Sequence, residues 1–547
     1  MNLGMQSPST TIEILARYDR DSRLMRKSES VVGSISSILV LPRAANPLAP
    51  QVSLGTTDRP EAASMAATLV VRVENSLSPE VTIRLRVPRL LKRFVRLIQH
   101  EGGEWIDLGA LGEWTVTVDS FQADQGVPII VLSECFARPA RHRVAGWDGN
   151  FSITASLVNS SGTVIARDKI ACQVTPFIIP SSLDPVEQVK VVDTRISNRF
   201  VEHLSKELNQ IGESFHPWHF QEAIASDVWA QDTALFGVAA LPGPFGTDQF
   251  LAMMSGLRGL HSGISTEPLD HNVRHQYITD NAIVVDPAEP RQDTRWIDWY
   301  GNFEVSPPVV SEAGQRFPYG RILYGRQNDL SFHHDVLGFL EAQKVQWPPL
   351  EVDVSWLTIG HVDEVVNFVP CATDCGFKLL FPSVDSAKTI LYELISDGYA
   401  DTVIFRNKAE KTTVKRLYDE VALSAETFKI ATALHRQKRE LMAELGIHED
   451  DIIELPALFR DGLPVIPNPI NSLVIGSTII VPDPLGPIVN SIDRFKQAIR
   501  SPLSIAGMNV RFIDVWEPYH VRSGEIHCAT NTIRSLMWPN WWEHLSQ

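Results

Sequence analysis

The sequence is poor in the features that mark several common classes of protein. Five cysteines, a small and odd number in 547 residues, imply no disulfide framework. Cys371 and Cys375 have the spacing of two metal ligands, but no second pair matches them, which argues against structural zinc. No apolar run is long enough to cross a membrane. Residues 1–10 lack the basic-then-apolar order of a signal peptide, so the expectation is a cytoplasmic chain with no membrane partner. Neither GxGxxG nor GxxxxGKS/T occurs, which leaves a nucleotide cofactor without support. Basic surplus is absent as well. The formal net charge is -16, the wrong sign for a nucleic-acid surface and compatible with a cationic substrate. What is present is ordinary globular composition, 44% hydrophobic and 21% charged, in a chain long enough for two domains.

Residues 1–178 read as all-β. Val81-Thr-Ile83-Arg-Leu85-Arg-Val87 and Trp114-Thr-Val116-Thr-Val118 alternate apolar and polar residues, the period of a half-buried strand. Residues 151–158 and 163–166 flank Asn159-Ser-Ser-Gly162, a hairpin signature. Short strands with turn signals predict a sandwich. Tyr18-Asp19-Arg-Asp21-Ser has the start of an acidic metal loop, though two acids so placed, with few more nearby, are more often a solvated turn. The proline- and serine-rich stretch 176–185 marks a boundary near residue 178. Beyond it, in 179–547, the pattern is mixed α and β. Phe200, Leu204, Leu208 and Ile211 share a helical face behind Ser197, a second helix spans 423–445 and stops at Gly446, and a third spans 491–499. Strands are expected at 402–405, 472–481 and 510–515.

Three separate stretches carry chemistry-bearing residues. The first is Trp356-Leu-Thr-Ile-Gly-His361-Val-Asp363-Glu364. Read as a strand, it puts His361 and Asp363 on one face, the arrangement that proton transfer near neutral pH requires. A structural histidine beside a solvated acid fits the same string. The second is Trp229-Ala-Gln231-Asp232, where an aromatic ring and a carboxylate could hold a cation. The third is Tyr519-His-Val-Arg522-Ser-Gly524-Glu-Ile-His527-Cys528, where a thiol follows a turn glycine. Buried free cysteines are usually inert, so this string alone decides nothing. One Cys, one His and two Asp are together a chemically consistent set for a guanidinium carbon. The carboxylates would fix the cation, the thiolate would attack, and the imidazole would move the protons.

These strings, with Tyr300-Gly-Asn-Phe-Glu304-Val-Ser-Pro-Pro308, Glu454-Leu-Pro-Ala-Leu-Phe459 and Asn471-Ser-Leu-Val-Ile-Gly476, resemble the peptidylarginine deiminases in the same order over about residues 175–547. The resemblance implies an all-β immunoglobulin-like sandwich followed by an α/β five-bladed propeller, the pentein fold of the guanidino-group modifying enzymes. It implies Cys528 as nucleophile, His361 as general acid and base, and Asp232 and Asp363 as guanidinium ligands. Arg258, in Gly256-Leu-Arg-Gly-Leu260, matches an arginine that holds substrate peptide carbonyls. Trp229 resembles the aromatic beside the arginine stem, and Arg522 a residue at the mouth. The implied partners are arginine-containing proteins or peptides; a homodimer is compatible with the sequence, which leaves the oligomeric state open. Deimination of a small guanidine, or an inactive arginine-binding relative, are the rival readings.

The resemblance also implies calcium, held here by Gln231, Glu304 and the backbone at Tyr300 and Phe303. However, two acids of the family pattern are replaced by Thr233 and Leu235, and Leu41-Pro-Arg-Ala-Ala stands where further acids are expected. Calcium prefers six to eight oxygens with carboxylates among them, so the expectation is turnover with little or no calcium.

Overall fold

The computed structural model describes residues 11–17, 38–40, 53–54, 68–74, 79–101, 104–140, 145–219, 227–243, 246–258, 260–261, 264–265, 267–288 and 295–544. The acidic stretch 18–22 and the stretch 41–45 lie outside the described residues. Among the described residues, no helix is long and apolar enough to cross a membrane.

Alternating apolar residues build two five-stranded sheets from the first third of the chain. One runs in the order Thr11–Arg17, Thr68–Glu74, Val127–Ser133, Val95–Glu101, Glu104–Gly109, with every neighbour antiparallel. The other runs Ile38–Val40, Val164–Val174, Asn150–Val158, Glu80–Arg86, Glu113–Asp119 and is antiparallel except at its first pair. The inward residues of both sheets meet in one core. Ile14, Val71, Leu97 and Val131 come from the first, and Ile83, Trp114, Ile153 and Ile170 from the second. The expected hairpin is present, with Gly162 at φ +82° in its turn.

From residue 186 a different unit repeats. Two antiparallel strands are followed by a helix and a third strand that pairs parallel to the second. The four strand sets in chain order are Ala234–Gly243, Gly246–Ser255 and Ile283–Val285; Phe303–Val305, Ile322–Arg326 and Leu350–Asp353; Asn367–Pro370, Phe377–Ser383 and Ile452–Pro456; and Leu473–Ile475, Thr478–Pro482 and Asn509–Ile513. A fifth set joins the two ends of the region. Its first strand, Thr530–Arg534, pairs antiparallel with Val186–Asp193, which pairs parallel with Trp218–His219. The connecting helices bury one face each. Asn198–Ile211 buries Phe200, Leu204 and Leu208, and Ala425–Leu445 buries Ile430, Leu434, Leu441 and Leu445.

Helix ends follow local chemistry. Ser424 caps Ala425–Leu445 by accepting the Thr427 N–H, a contact worth about 1 kcal/mol, and Gly446 ends it in the left-handed region. The helix expected at 491–499 starts later and runs longer, at Arg494–Ile505, because Asp493 is the residue that caps it. The 472–481 stretch is a hairpin turned at Gly476, and the 402–405 strand shrinks to Val403–Ile404. Ser197 precedes its helix without a side-chain cap, since its hydroxyl donates to the Val192 carbonyl instead.

One expected strand is absent. Residues 356–364 form turns and a single 3-10 turn, Val362–Glu364, with His361 at its start. Gly360, at φ +81°, breaks the extended run, and the buried Asn302 side chain captures the Val362 N–H at 3.0 Å. The strands on either side of it, Leu350–Asp353 and Asn367–Pro370, belong to two different sheets.

Candidate active site

Each repeated unit contributes a residue from the segment that enters its first strand. Asp232 precedes Ala234–Gly243, Gly301 precedes Phe303–Val305, and Asp363 precedes Asn367–Pro370. Asn471 precedes Leu473–Ile475, and Cys528 precedes Thr530–Arg534. Residues more than 290 positions apart are thereby drawn to one place, which strand spacing alone could not disclose.

Asp232 is buried in the turn Gln231–Thr233, where its Oδ1 accepts the Gly301 N–H at 2.9 Å. His361 Nδ1 lies 3.9 Å from the same oxygen. The other ring nitrogen, Nε2, is 2.7 Å from the Trp296 carbonyl. A carbonyl only accepts, so Nε2 carries a proton and donates it. Nδ1 has no hydrogen-bond partner among the described residues. A Cβ on Gly301 would stand 2.5 Å from Nδ1 and 2.9 Å from Asp232 Oδ1. Gly301→Ala is therefore expected to push the two side chains apart. The loss should be about 10²-fold in kcat/KM, the usual cost of an ångström of misplacement, with a small change in melting temperature. A kcat/KM within twofold of wild type would show that this approach is not needed.

On the other side, Asn471 fixes the thiol. Its carbonyl oxygen Oδ1 accepts the Cys528 N–H at 3.1 Å, and its Nδ2 donates to Cys528 Sγ at 3.2 Å. Cys528 Sγ lies 3.4 Å from Asp363 Oδ2. His527 Nδ1 is 2.8 Å from that same oxygen, and His527 Nε2 is 3.2 Å from Glu304 Oε1. Asp363 Oδ1 is buried and has no hydrogen-bond partner among the described residues. Trp229 stacks close over Gly524, where any Cβ would meet the indole at 2.4 Å and Cys528 Cβ at 3.3 Å. The six residues Asp232, His361, Asp363, Cys528, Trp229 and Glu304 thus converge.

The site holds more acid than base. Burial raises the Asp232 carboxyl above its ordinary range, opposed by His361 and Arg258. Burial also pushes Glu304 up to about 7, and raises Glu364 well above the usual carboxylate range with help from Asp363. The Cys528 thiol is raised too, first by burial and then by Asp363 and Asp232. A cation placed between the carboxylates would reverse the last effect.

Arg258 and Arg522 are placed differently from one another. The Arg258 guanidinium is fully buried. Its Nε and Nη2 donate to Asp270 Oδ1 at 2.8 and 2.6 Å, and its Nη1 donates to Asp227 Oδ1 at 3.2 Å. It lies over the Trp299 ring, 5.3 Å from the centroid. Reaching a peptide carbonyl would require it to leave these pairs. Arg522 is exposed on the short turn His520–Arg522, six residues before Cys528.

The residues expected around calcium do not fit it. Gln231, Leu235, Phe303, Glu304, His527 and Arg534 line a cavity of about 70 Å³. Glu304 is the single carboxylate of that lining, and it already faces the His527 ring. The Arg534 guanidinium donates to the carbonyls of Ser182, Asp184 and Val474, so a cation of the protein's own is fixed in the wall. Thr233 donates its hydroxyl to the Ala230 carbonyl, and Leu235 packs into an apolar cluster. Hard cations need several anionic oxygens, and this wall offers one, already facing His527, beside the Arg534 guanidinium. Among the described residues, no three His, Cys, Asp or Glu side chains are grouped to hold a metal ion. Cys375 Sγ instead contacts the Phe377 carbonyl and Asp451.

Three residues that sequence reasoning left without a role are part of the site: Gly301, Asn471 and His527. All lie inside the strings quoted above, so the signal was their presence there and not their chemistry.

The profile of the family described as Protein-arginine deiminase (PAD) matches residues 164–543. The chain belongs to this family. The human protein-arginine deiminase type-3 is 31% identical over 418 residues, covering 73% of this chain and 60% of its own. The human type-4 enzyme is 34% identical over 258 residues, 45% of this chain and 39% of its own. The chain thus spans about 60% of the length of the type-3 relative. Among solved structures, a C. jejuni agmatine deiminase with substrate bound is 10% identical, with a TM-score of 0.38, and covers 67% of this chain and 98% of its own. A cyanobacterial arginine dihydrolase is 12% identical at a TM-score of 0.35, covering 65% and 40%.

Proposed function

We propose that this chain hydrolyses peptidyl arginine to peptidyl citrulline and ammonia through a covalent thiouronium on Cys528. The carrying observation is a pair of buried polar atoms without partners, His361 Nδ1 and Asp363 Oδ1, in a site with the Cys528 thiol and the Asp232 carboxylate. Unpaired buried polar atoms cost about 1–3 kcal/mol each, and a guanidinium held by the two carboxylates would remove that cost at Asp363. The curated relatives are named protein-arginine deiminases, which supports the same reading.

The chemistry follows from the charges. An entering guanidinium offsets the acids that hold the Cys528 proton in place, so once substrate is bound the thiol passes its proton to His361 Nδ1 and the thiolate forms. Sγ then bonds to the guanidinium carbon, and the adduct breaks its bond to a terminal nitrogen. His361 supplies the proton with which that nitrogen leaves as ammonia. Water, deprotonated by His361 Nδ1, adds to the thiouronium carbon. The C–S bond breaks, which returns the thiol and leaves the urea group of citrulline.

In this reading the two facing five-stranded sheets are an immunoglobulin-like sandwich covering 1–178. The five repeated units are the blades of a propeller covering 179–547, with Asp232, His361, Asp363 and Cys528 as its catalytic set. Trp229 flanks the arginine stem. One observation favours a small guanidine such as free arginine or agmatine instead. Arg258, which would hold peptide carbonyls, is engaged by Asp227 and Asp270. Rates on a blocked arginine peptide and on free arginine separate the two. A higher kcat/KM on the peptide is the expected result, and turnover of the free amino acid alone would assign the small-guanidine reading.

The poor fit of the cavity to calcium leads to a further expectation. The initial citrulline rate in excess chelator should stay within about twofold of the rate with millimolar calcium restored, for want of the carboxylates that calcium needs. Activity that chelator abolishes and calcium restores would overturn this.

A further inference from the structure

His527 sits between two buried acids. Its Nδ1 is 2.8 Å from Asp363 Oδ2, and its Nε2 is 3.2 Å from Glu304 Oε1. The two acid side chains are almost wholly buried, while the ring is about one-fifth exposed. Among the described residues no other side chain bridges them, since the Arg534 guanidinium in the same wall donates to backbone carbonyls. The ring is held from behind by its own backbone, whose N–H donates to the Asn471 carbonyl at 3.1 Å. Asn471 also holds the thiol, so one residue sets the position of both His527 and Cys528.

The consequence falls on Asp363. Of its two oxygens, Oδ2 receives His527 and faces the Cys528 thiol, while Oδ1 has no partner among the described residues. A carboxylate held at one oxygen has one orientation about its terminal torsion, and its second oxygen is then fixed as well. Without the ring, Asp363 would face Glu304 with no donor between them, and like charges in a buried site push one another out of position.

We propose that His527 is a positioning residue. Anchored on Glu304, it donates to Asp363 Oδ2 and so presents Asp363 Oδ1 to the substrate guanidinium. This rests on the guanidinium reading above and deepens it. The ring does for the site's order what a bound cation could do, and it is supplied by the residue next to the nucleophile.

The test is a double-mutant cycle of His527→Ala and Glu304→Gln, read as kcat and KM for a blocked arginine peptide, with melting temperature alongside. His527→Ala is expected to lower kcat/KM by about 10²-fold, the cost of a misplaced catalytic group. Part of the loss should appear as a raised KM, because a guanidinium contact is weakened. His527→Gln keeps an N–H for Asp363 and should recover at least part of the loss, which also guards against a failure of the alanine variant to fold. The double variant should lose no more than His527→Ala alone, because Glu304 acts through the ring. Free imidazole should partly restore His527→Ala, since the ring lines a cavity. Additive losses in the cycle, or a His527→Ala protein with wild-type kcat/KM, would overturn the assignment while leaving the function intact. A wild-type protein that neither binds nor converts the peptide would overturn the function and this inference together.

Discussion

Cys528→Ala is expected to abolish citrulline formation, with a loss of at least about 10⁴-fold, while the protein folds and melts near the wild-type temperature. The size follows from the route, since no other described side chain stands ready to form the covalent bond, and residues that act as a unit lose most of their effect when one is removed. The small change in stability follows from the packing. Cys528 is buried, but alanine keeps the Cβ and backbone, and the backbone N–H still donates to Asn471. The four other cysteines tell the opposite story. Cys172 lies in the core between the two five-stranded sheets and Cys135 packs against it, where burial pushes the Cys135 thiol up to about 11. Cys371 and Cys375 lie beyond the strand Asn367–Pro370. Each should be replaceable by serine or alanine with activity retained. Turnover by Cys528→Ala above background, measured by citrulline colour and by mass, would remove the covalent step.

The second large effect belongs to the carboxylates. Asp232→Asn and Asp363→Asn should each lower kcat/KM by about 10³-fold, because a neutral amide replaces one charged contact to the guanidinium in a water-poor site. Stability should move differently. Burial raises the Asp232 carboxyl in the folded protein above its unfolded value. The folded state therefore binds that proton more tightly, and its contribution to stability is present at low pH and lost as pH rises above the ordinary carboxylate range. At neutral pH and above, Asp232→Asn should melt at the same temperature as wild type or higher, and the difference should vanish in acid. Near-normal rates with unchanged melting in either variant would place the guanidinium elsewhere.

How much of this was legible in the sequence depends on the kind of information each feature needs. The alternation around Val81, Val116 and Ile153 was enough for the sheets of the first region, because one face of each strand is buried and the period shows. Helix ends at Ser424 and Gly446 were readable because capping is local. The five repeated units were readable only through the resemblance, not from periodicity. They share a pattern of pairing and a crossover helix, and no residue string, and the fifth is completed by strands from opposite ends of the region.

In the site, Cys528, His361, Asp232 and Asp363 stood out through a family's strings, and chemistry alone left each open. The strand expected at 356–364 failed because apolar alternation there reflects burial of a turn against Asn302, not pairing in a sheet. Gly301 could not be chosen from sequence, since its requirement is the 2.5 Å that a Cβ would leave to His361. His527 was hidden beside its more conspicuous neighbour. Arg258 reads as a surface ligand in sequence, and only the fold shows Asp227 and Asp270 closing on it.

In the proposed reaction this site converts a peptide's arginine to citrulline by hydrolysis, unaided by calcium. The most direct measurement incubates the wild-type protein with a blocked arginine peptide in excess chelator and in water enriched in heavy oxygen. Mass spectrometry then follows the peptide, with ammonia measured in parallel. The expected result is one ammonia released per citrulline formed, and one solvent oxygen in each citrulline side chain. A peptide left unchanged in chelator contradicts this, whether or not added calcium restores the reaction.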